Sequence, residues 1–139
     1  MKTIKLLKIF TFPIIILVIH SIFVLLDAYE IYSWLDLLMH FFGGLAIAAS
    51  YVSLLRSIHH RSLEEMPGIL FFLFIISLVA LTAVLWEFLE FILDLMFNLR
   101  AQPDLTDTII DLFLGLVGGI CGYFIMKHQH RHVNEIVEK

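Results

Sequence analysis

The residues best suited to chemistry in this chain are acids set in apolar surroundings. Glu87, Glu90 and Asp94 stand at i, i+3 and i+7 in the run Trp86-Glu87-Phe88-Leu89-Glu90-Phe91-Ile92-Leu93-Asp94. On a helix they form one stripe on one face. Asp104, Asp107 and Asp111 repeat that spacing, and Asp36 and His40 stand at i and i+4. Charges inside a bilayer are costly and face a protein interior or a wet cavity. Carboxylates joined by an imidazole form a donor set for Zn, Mn or Fe, and with more oxygen ligands for Mg or Ca. His40, Glu87, Asp111 and Asp36 are therefore the candidate ligands of a divalent metal. Glu90 and Asp107 are the candidate catalytic bases that would take a proton from water.

The elements that must position these residues are apolar helices. The chain has 139 residues, 60% of them hydrophobic, with a mean hydropathy of +0.95. Such a composition excludes an ordinary soluble domain and predicts an all-α, multi-pass protein of the inner or plasma membrane. No basic stripe interleaved with aromatics is present, which argues against a nucleic-acid partner. Cys121 is the single cysteine, lies in an apolar run and reads as a small buried hydrophobe.

Four spans are predicted, at about 9–26, 34–55, 69–97 and 108–126, with a cytoplasmic tail at 127–139. Lys2, Lys5 and Lys8 precede the first span, but Asp27-Ala28-Tyr29-Glu30 follows it in place of a small-x-small cleavage site, so the span is read as uncleaved. Pro13 falls in its first turns, and His20 reads as a side chain bonded to a neighbouring helix. Tyr29, Tyr32 and Trp34 suit a membrane–water boundary. Arg56 to Pro67 reads as a polar loop and Asn98 to Thr106 as a connector, with Thr106 or Asp107 capping the helix that follows. Gly115, Gly119 and Gly122 suggest a close-packing face for a homodimer. His128, His130 and His132, and the pair His59-His60, read as solvated. Lys2, Lys5, Lys8, Arg56, Arg61, Lys127, Arg131 and Lys139 share one side and only Arg100 the other, which predicts that both termini are cytoplasmic.

Helical rise then gives depth. His40 lies six residues inside Trp34, and Asp111 and Glu87 each lie seven residues from Asp104 and Asp94, or roughly 9–10 Å beneath the outer surface in each case. Asp36, Glu90, Asp94 and Asp107 form a shallower tier. Seven carboxylates, Asp36, Glu87, Glu90, Asp94, Asp104, Asp107 and Asp111, face Arg100 as their one permanent cation. They cannot all stay ionised without protons, water or a bound cation. Three functions fit this arrangement. One is metal-dependent processing of a lipid or lipid-linked headgroup. Another is binding or transport of protons or a divalent cation. In the third, the acids staple a structural subunit of an envelope complex. No H-E-x-x-H or G-x-S-x-G motif occurs.

Three stretches resemble a family pattern. Asp36-Leu-Leu-Met-His40-Phe-Phe-Gly43-Gly44 is similar to the D-x-x-x-H-F-x-x-G stretch of VanZ-like and the related YjdF-type membrane proteins. Trp86-Glu87-Phe88-Leu89-Glu90-Phe91 and Asp107-Thr-Ile-Ile-Asp111-Leu-x-x-Gly115-x-x-Gly118-Gly119 are similar to the two motifs that follow in the YjdF-type group. The resemblance covers the second to fourth spans in order. Its VanZ-like side implies a link to lowered susceptibility to glycopeptide antibiotics such as teicoplanin. The VanZ pattern, however, tends to carry Gln where this chain has Glu90 and Asn where it has Leu112, departures that point to the YjdF-type side.

Overall fold

A computed structural model describes the backbone of residues 7–64, 66–97 and 104–137, with side chains except at 59–64 and 131–137. Lys2, Lys5, Arg100, Pro103 and Lys139, and the side chains of His59, His60, Arg61, Arg131 and His132, lie outside the described residues. Among the described residues, 7–9 are helical and then come α1 (Thr11–Leu25), α2 (Ala28–Ile31), α3 (Trp34–Glu64), α4 (Gly68–Phe97) and α5 (Leu105–Val137). No strand occurs among the described residues.

Local chemistry explains where the helices break. Pro13 occupies the first turn of α1, where its missing N–H would have no intrahelical acceptor. Between α1 and α2, Asp27 adopts φ 51°, a left-handed conformation that short polar side chains tolerate. Pro67 precedes α4, and its carbonyl accepts the N–H groups of Leu70 (2.9 Å) and Phe71 (3.2 Å). The start of α5 is capped by Asp104, whose Oδ1 accepts the N–H groups of Thr106 (2.7 Å) and Asp107 (3.1 Å). This corrects the expected cap at Thr106 or Asp107.

Two helices run further than hydropathy suggests. The segment from Arg56 that reads as a loop is helical as far as Glu64, and the polar tail is helical to Val137. Leaving the hydrocarbon removes the need for apolar side chains, but Arg, Leu and Glu keep good helix propensity, and the sequence carries no Gly or Pro between Arg56 and Glu64. Because His128 and His130 lie on a helix, their i, i+2 spacing puts them on different faces.

Three helices are long and apolar enough to cross a membrane: Trp34–Ile58, Gly68–Phe97 and Leu105–His130. The 15-residue α1 is a shorter apolar helix, and it rises about 22 Å.

Close backbone contact sets the packing. A Cβ built on Gly44 would collide with the Gly115 carbonyl, and one on Gly118 with the Phe41 carbonyl. One on Gly122 would lie 2.5 Å from the Leu45 carbonyl oxygen. From Gly115 beside His40 and Gly44, through Gly118 beside Phe41 and Leu45, to Gly122 beside Leu45 and Ala48, numbers rise together, so α3 and α5 run parallel. Antiparallel α4 fills the space beside them, with Val79 against Gly119 and Phe71 and Phe72 against Tyr123. The glycines expected to offer a dimer face are therefore consumed within the chain: Gly115, Gly119 and Gly122 are buried by α3 and α4. Ala48, Val52, Phe71, Ile75, Val79 and Tyr123 form an apolar core in the half of the bundle away from the acids.

Candidate functional site

The small residues that bring the helices together lie one turn away from the polar ones. Gly44 follows His40 by four residues, Gly115 follows Asp111 by four, and Ala83 precedes Glu87 by four. A Cβ on Gly115 would lie 3.7 Å from that of Ala83 and 3.8 Å from the His40 carbonyl oxygen. Three backbones thus converge at one level, and the turns above them aim His40, Asp111 and Glu87 at a common volume.

His40 is the hub. Its Nε2 lies 3.6 Å from Asp36 Oδ1 and 3.8 Å from Asp111 Oδ2, while Nδ1 lies 3.8 Å from Glu87 Oε1. The donors fall into two trios, Asp36-His40-Asp111 and His40-Glu87-Glu90, each with its ligand atoms within 4.8 Å of one another. Glu87, Glu90 and Asp111 are 5%, 4% and 1% exposed, so these carboxyls lie in the protein interior. Asp111 Oδ1 is buried and has no hydrogen-bond partner among the described residues. No Lys or Arg occurs in α1, α2 or α4, before Arg56 in α3, or before Lys127 in α5.

The distances bear on what this arrangement can do. Separations of 3.6–3.8 Å are too long for good hydrogen bonds. They come close to the spacing of ligands around an ion: with metal–ligand bonds of about 2.0–2.2 Å, tetrahedral neighbours stand about 3.4 Å apart. An imidazole that ligates through one nitrogen usually donates the other N–H to a carboxylate, which fixes its tautomer. Asp36 and Asp111 at Nε2, with Glu87 on the Nδ1 side, have that layout.

Of the two expected bases, Glu90 belongs to the cluster. It is buried in a trio with His40 and Glu87, and its Oε1 accepts the indole N–H of Trp86 at 2.8 Å. Asp107 is half-buried at the rim, within electrostatic reach of Asp36, and is in neither trio. Asp94 is half-buried one turn beyond Glu90 and is also in neither trio. Exposed Asp104 serves the helix end, and the N–H groups of Asp107 and Thr106 hold its carboxyl below the usual Asp range.

A second layer includes His20, which bonds to a neighbouring helix as its sequence context suggests; its contact with Trp86 and the Trp86–Glu90 bond were not anticipated. The Trp86 ring stands edge-on to His20 with centroids 5.0 Å apart, and His20 Nδ1 shares a 2.8 Å hydrogen bond with the Tyr29 hydroxyl. Burial, reinforced by the Asp36 and Glu90 carboxylates, holds the Tyr29 phenol above its ordinary range, so it remains a donor at neutral pH. Besides His20 itself, the i, i+4 spacing of Trp86 and Glu90 was the available signal for this layer.

Fold and site define a small helical membrane protein with a carboxylate–histidine cluster near one end of its bundle. The chain belongs to the family described as "Predicted membrane protein (DUF2238)", whose model matches residues 1–132. No curated protein and no solved structure matches it.

Proposed function

We propose that the protein is a multi-pass cell-membrane enzyme that uses a divalent metal to process a lipid or lipid-linked envelope headgroup. The observation that carries this reading is His40, met by carboxylates of three helices at 3.6–3.8 Å, with Asp111 Oδ1 buried beside it and without a hydrogen-bond partner among the described residues. Asp36, His40 and Asp111 would hold the ion, with Glu87 orienting the imidazole from its Nδ1 side or joining the ligand set. A bound ion would supply Lewis-acid polarisation of a water or a headgroup oxygen. Glu90 is the base that takes the proton, and the Trp86 indole N–H fixes the direction of its carboxyl. Asp107, at the rim, would relay that proton outward.

The proposed topology has four crossings with both termini inside and the site near the outer leaflet. Its support is the clustering of Lys and Arg at the ends of the chain and in the α3–α4 region. Motif order and the Glu90 and Leu112 positions favour kinship with the YjdF-type proteins over the VanZ-like group. An ion- or proton-transport reading is weakened by the apolar core of Phe71, Ile75 and Val79, since the described half of the bundle that holds it offers no relay of acids.

The test is metal content by mass spectrometry of the detergent-purified protein, beside His40→Ala and Asp111→Asn. Stoichiometric metal in the wild type, lost from both variants at unchanged folded yield, is expected. A wild type that stays metal-free after reconstitution with Zn, Mn, Fe, Mg and Ca would overturn the proposal.

A further inference from the structure

An apolar cavity of about 260 Å³ lies between α1 and the three long helices. Pro13 and Leu17 line it from α1, Gly43 and Ile47 from α3, and Val79 and Trp86 from α4; its polar lining is His20, Thr82 and His40, of which His40 belongs to the carboxylate–histidine cluster. The α1 backbone packs on α2 and α3 and stands off from α4 and α5. None of the residues in Thr11–Leu25 is buried. Leu17 and Ile14, which also lines the cavity, remain 47% and 45% exposed, so this wall opens toward the bilayer.

Gly43 is the informative residue. Its neighbour Gly44 is explained by the Gly115 contact, but a Cβ on Gly43 would have nothing within 4 Å. Glycine in a helix interior costs about 1 kcal/mol relative to alanine. At Gly43 no close approach of another helix accounts for it. What the missing side chain leaves is room in the cavity wall, one turn from His40.

We infer that this cavity seats a hydrocarbon chain of a membrane lipid, which enters past α1 and carries its polar end to His40. The shape and chemistry of the occupant follow from the walls: an apolar shaft, a polar end at the carboxylate–histidine cluster, and a side open to the bilayer. The volume lies just below the range of about 300–1,000 Å³ typical of pockets that hold an entire small ligand. It suits one stretch of a chain, with the headgroup outside the cavity among the acids. This deepens the enzyme reading by naming its substrate class as a lipid held by its tail, and rests on that reading only for the chemistry at the headgroup.

The chain has two tryptophans, Trp34 and Trp86, and only Trp86 lines the cavity. Trp34→Phe therefore leaves one reporter. In detergent, this protein is titrated with a phospholipid bearing dibrominated acyl chains, and Trp86 fluorescence is followed. A quench that saturates, and that unbrominated lipid reverses, is expected. Gly43→Leu should weaken the apparent affinity at least about tenfold, equivalent to about 1.4 kcal/mol. Gly43→Ala, which adds one carbon to open space, should weaken it less and serves as the test if the leucine variant does not fold. Metal content of wild type and the Gly43 variants is measured alongside; Gly43 supplies no side-chain ligand to an ion, so tail binding lost at unchanged metal content, or a saturable quench in a metal-free wild type, reads the two proposals separately. Quenching that rises without a plateau, as from lipid around the outside of the bundle, would overturn the inference. So would a plateau that folded Gly43 variants leave unchanged.

Discussion

Gly44 and Gly115 meet backbone to backbone one helical turn below His40 and Asp111, so the contact that joins α3 to α5 also sets the distance between two candidate ligands. Packing and site geometry are one feature here. Without a hydrophobic driving force between helices in lipid, association relies on close van der Waals contact, which small residues permit. That contact places a histidine and an acid 3.8 Å apart.

The first prediction contrasts adjacent glycines. Gly44→Ala forces a methyl group into the Gly115 carbonyl and must push α3 and α5 apart. We expect a loss of about 1–3 kcal/mol, as for overpacking of a tight core. Gly43→Ala meets nothing and should be neutral or stabilising by up to about 1 kcal/mol. Thermal unfolding in detergent measures both, and equal effects would contradict the packing described.

Asp111→Asn separates a ligand from a staple. The amide keeps the shape of the side chain and removes its charge, so a metal site predicts intact or raised stability together with lost ion binding. Wild type should gain about 2.7 kcal/mol in the presence of the bound cation at a hundredfold excess over Kd, and the variant almost nothing. A variant that unfolds more readily in the absence of metal, with its cation response intact, would favour the stapling role.

How far the site could be read in advance depended on what each signal reports. Constant helical rise was enough to put His40, Glu87 and Asp111 at one level, because depth needs only a count along each helix. Counting put Glu90 in a shallower tier but carries no information on side-chain packing: Glu90 is 4% exposed and shares a trio with His40 and Glu87. Hydropathy marked the membrane core but not the helix ends at Glu64 and Val137, since solvent, not backbone conformation, changes at the interface. The G-x-x-x-G spacing identified a close contact without its partner: a glycine face serves α3 of the same chain as readily as a second copy. The Trp86 N–H bond to Glu90 became evident only with the rotamer.

That bond gives the third prediction. Trp86→Phe retains a ring to face His20 but removes the donor to Glu90 Oε1. Leaving a buried acceptor unsatisfied costs about 1–3 kcal/mol. Glu90→Gln in the same background tests whether the loss runs through this pair. A double-mutant cycle in unfolding free energy should return a coupling of about 0.5–3 kcal/mol, and simple additivity would mean that the indole acts through packing alone.

The last prediction concerns the start of α5, which carries Asp107 and Asp111. Asp104 is fully exposed, yet its carboxylate accepts two backbone N–H groups that hold its pKa below the usual Asp range. A carboxyl depressed on folding stabilises the helix start at pH above its unfolded value, and that contribution disappears as pH falls through the lower folded value. Asn is also a good N-cap but does not titrate. Amide exchange at Thr106 and Asp107 should therefore accelerate on acidification in wild type, after correction for intrinsic rates. In Asp104→Asn the protection should be independent of pH over the same window, and in Asp104→Ala it should be low throughout. If wild type and Asp104→Asn respond alike to acid, the cap is not the titrating element, and the change would have to originate in the acids deeper in the bundle.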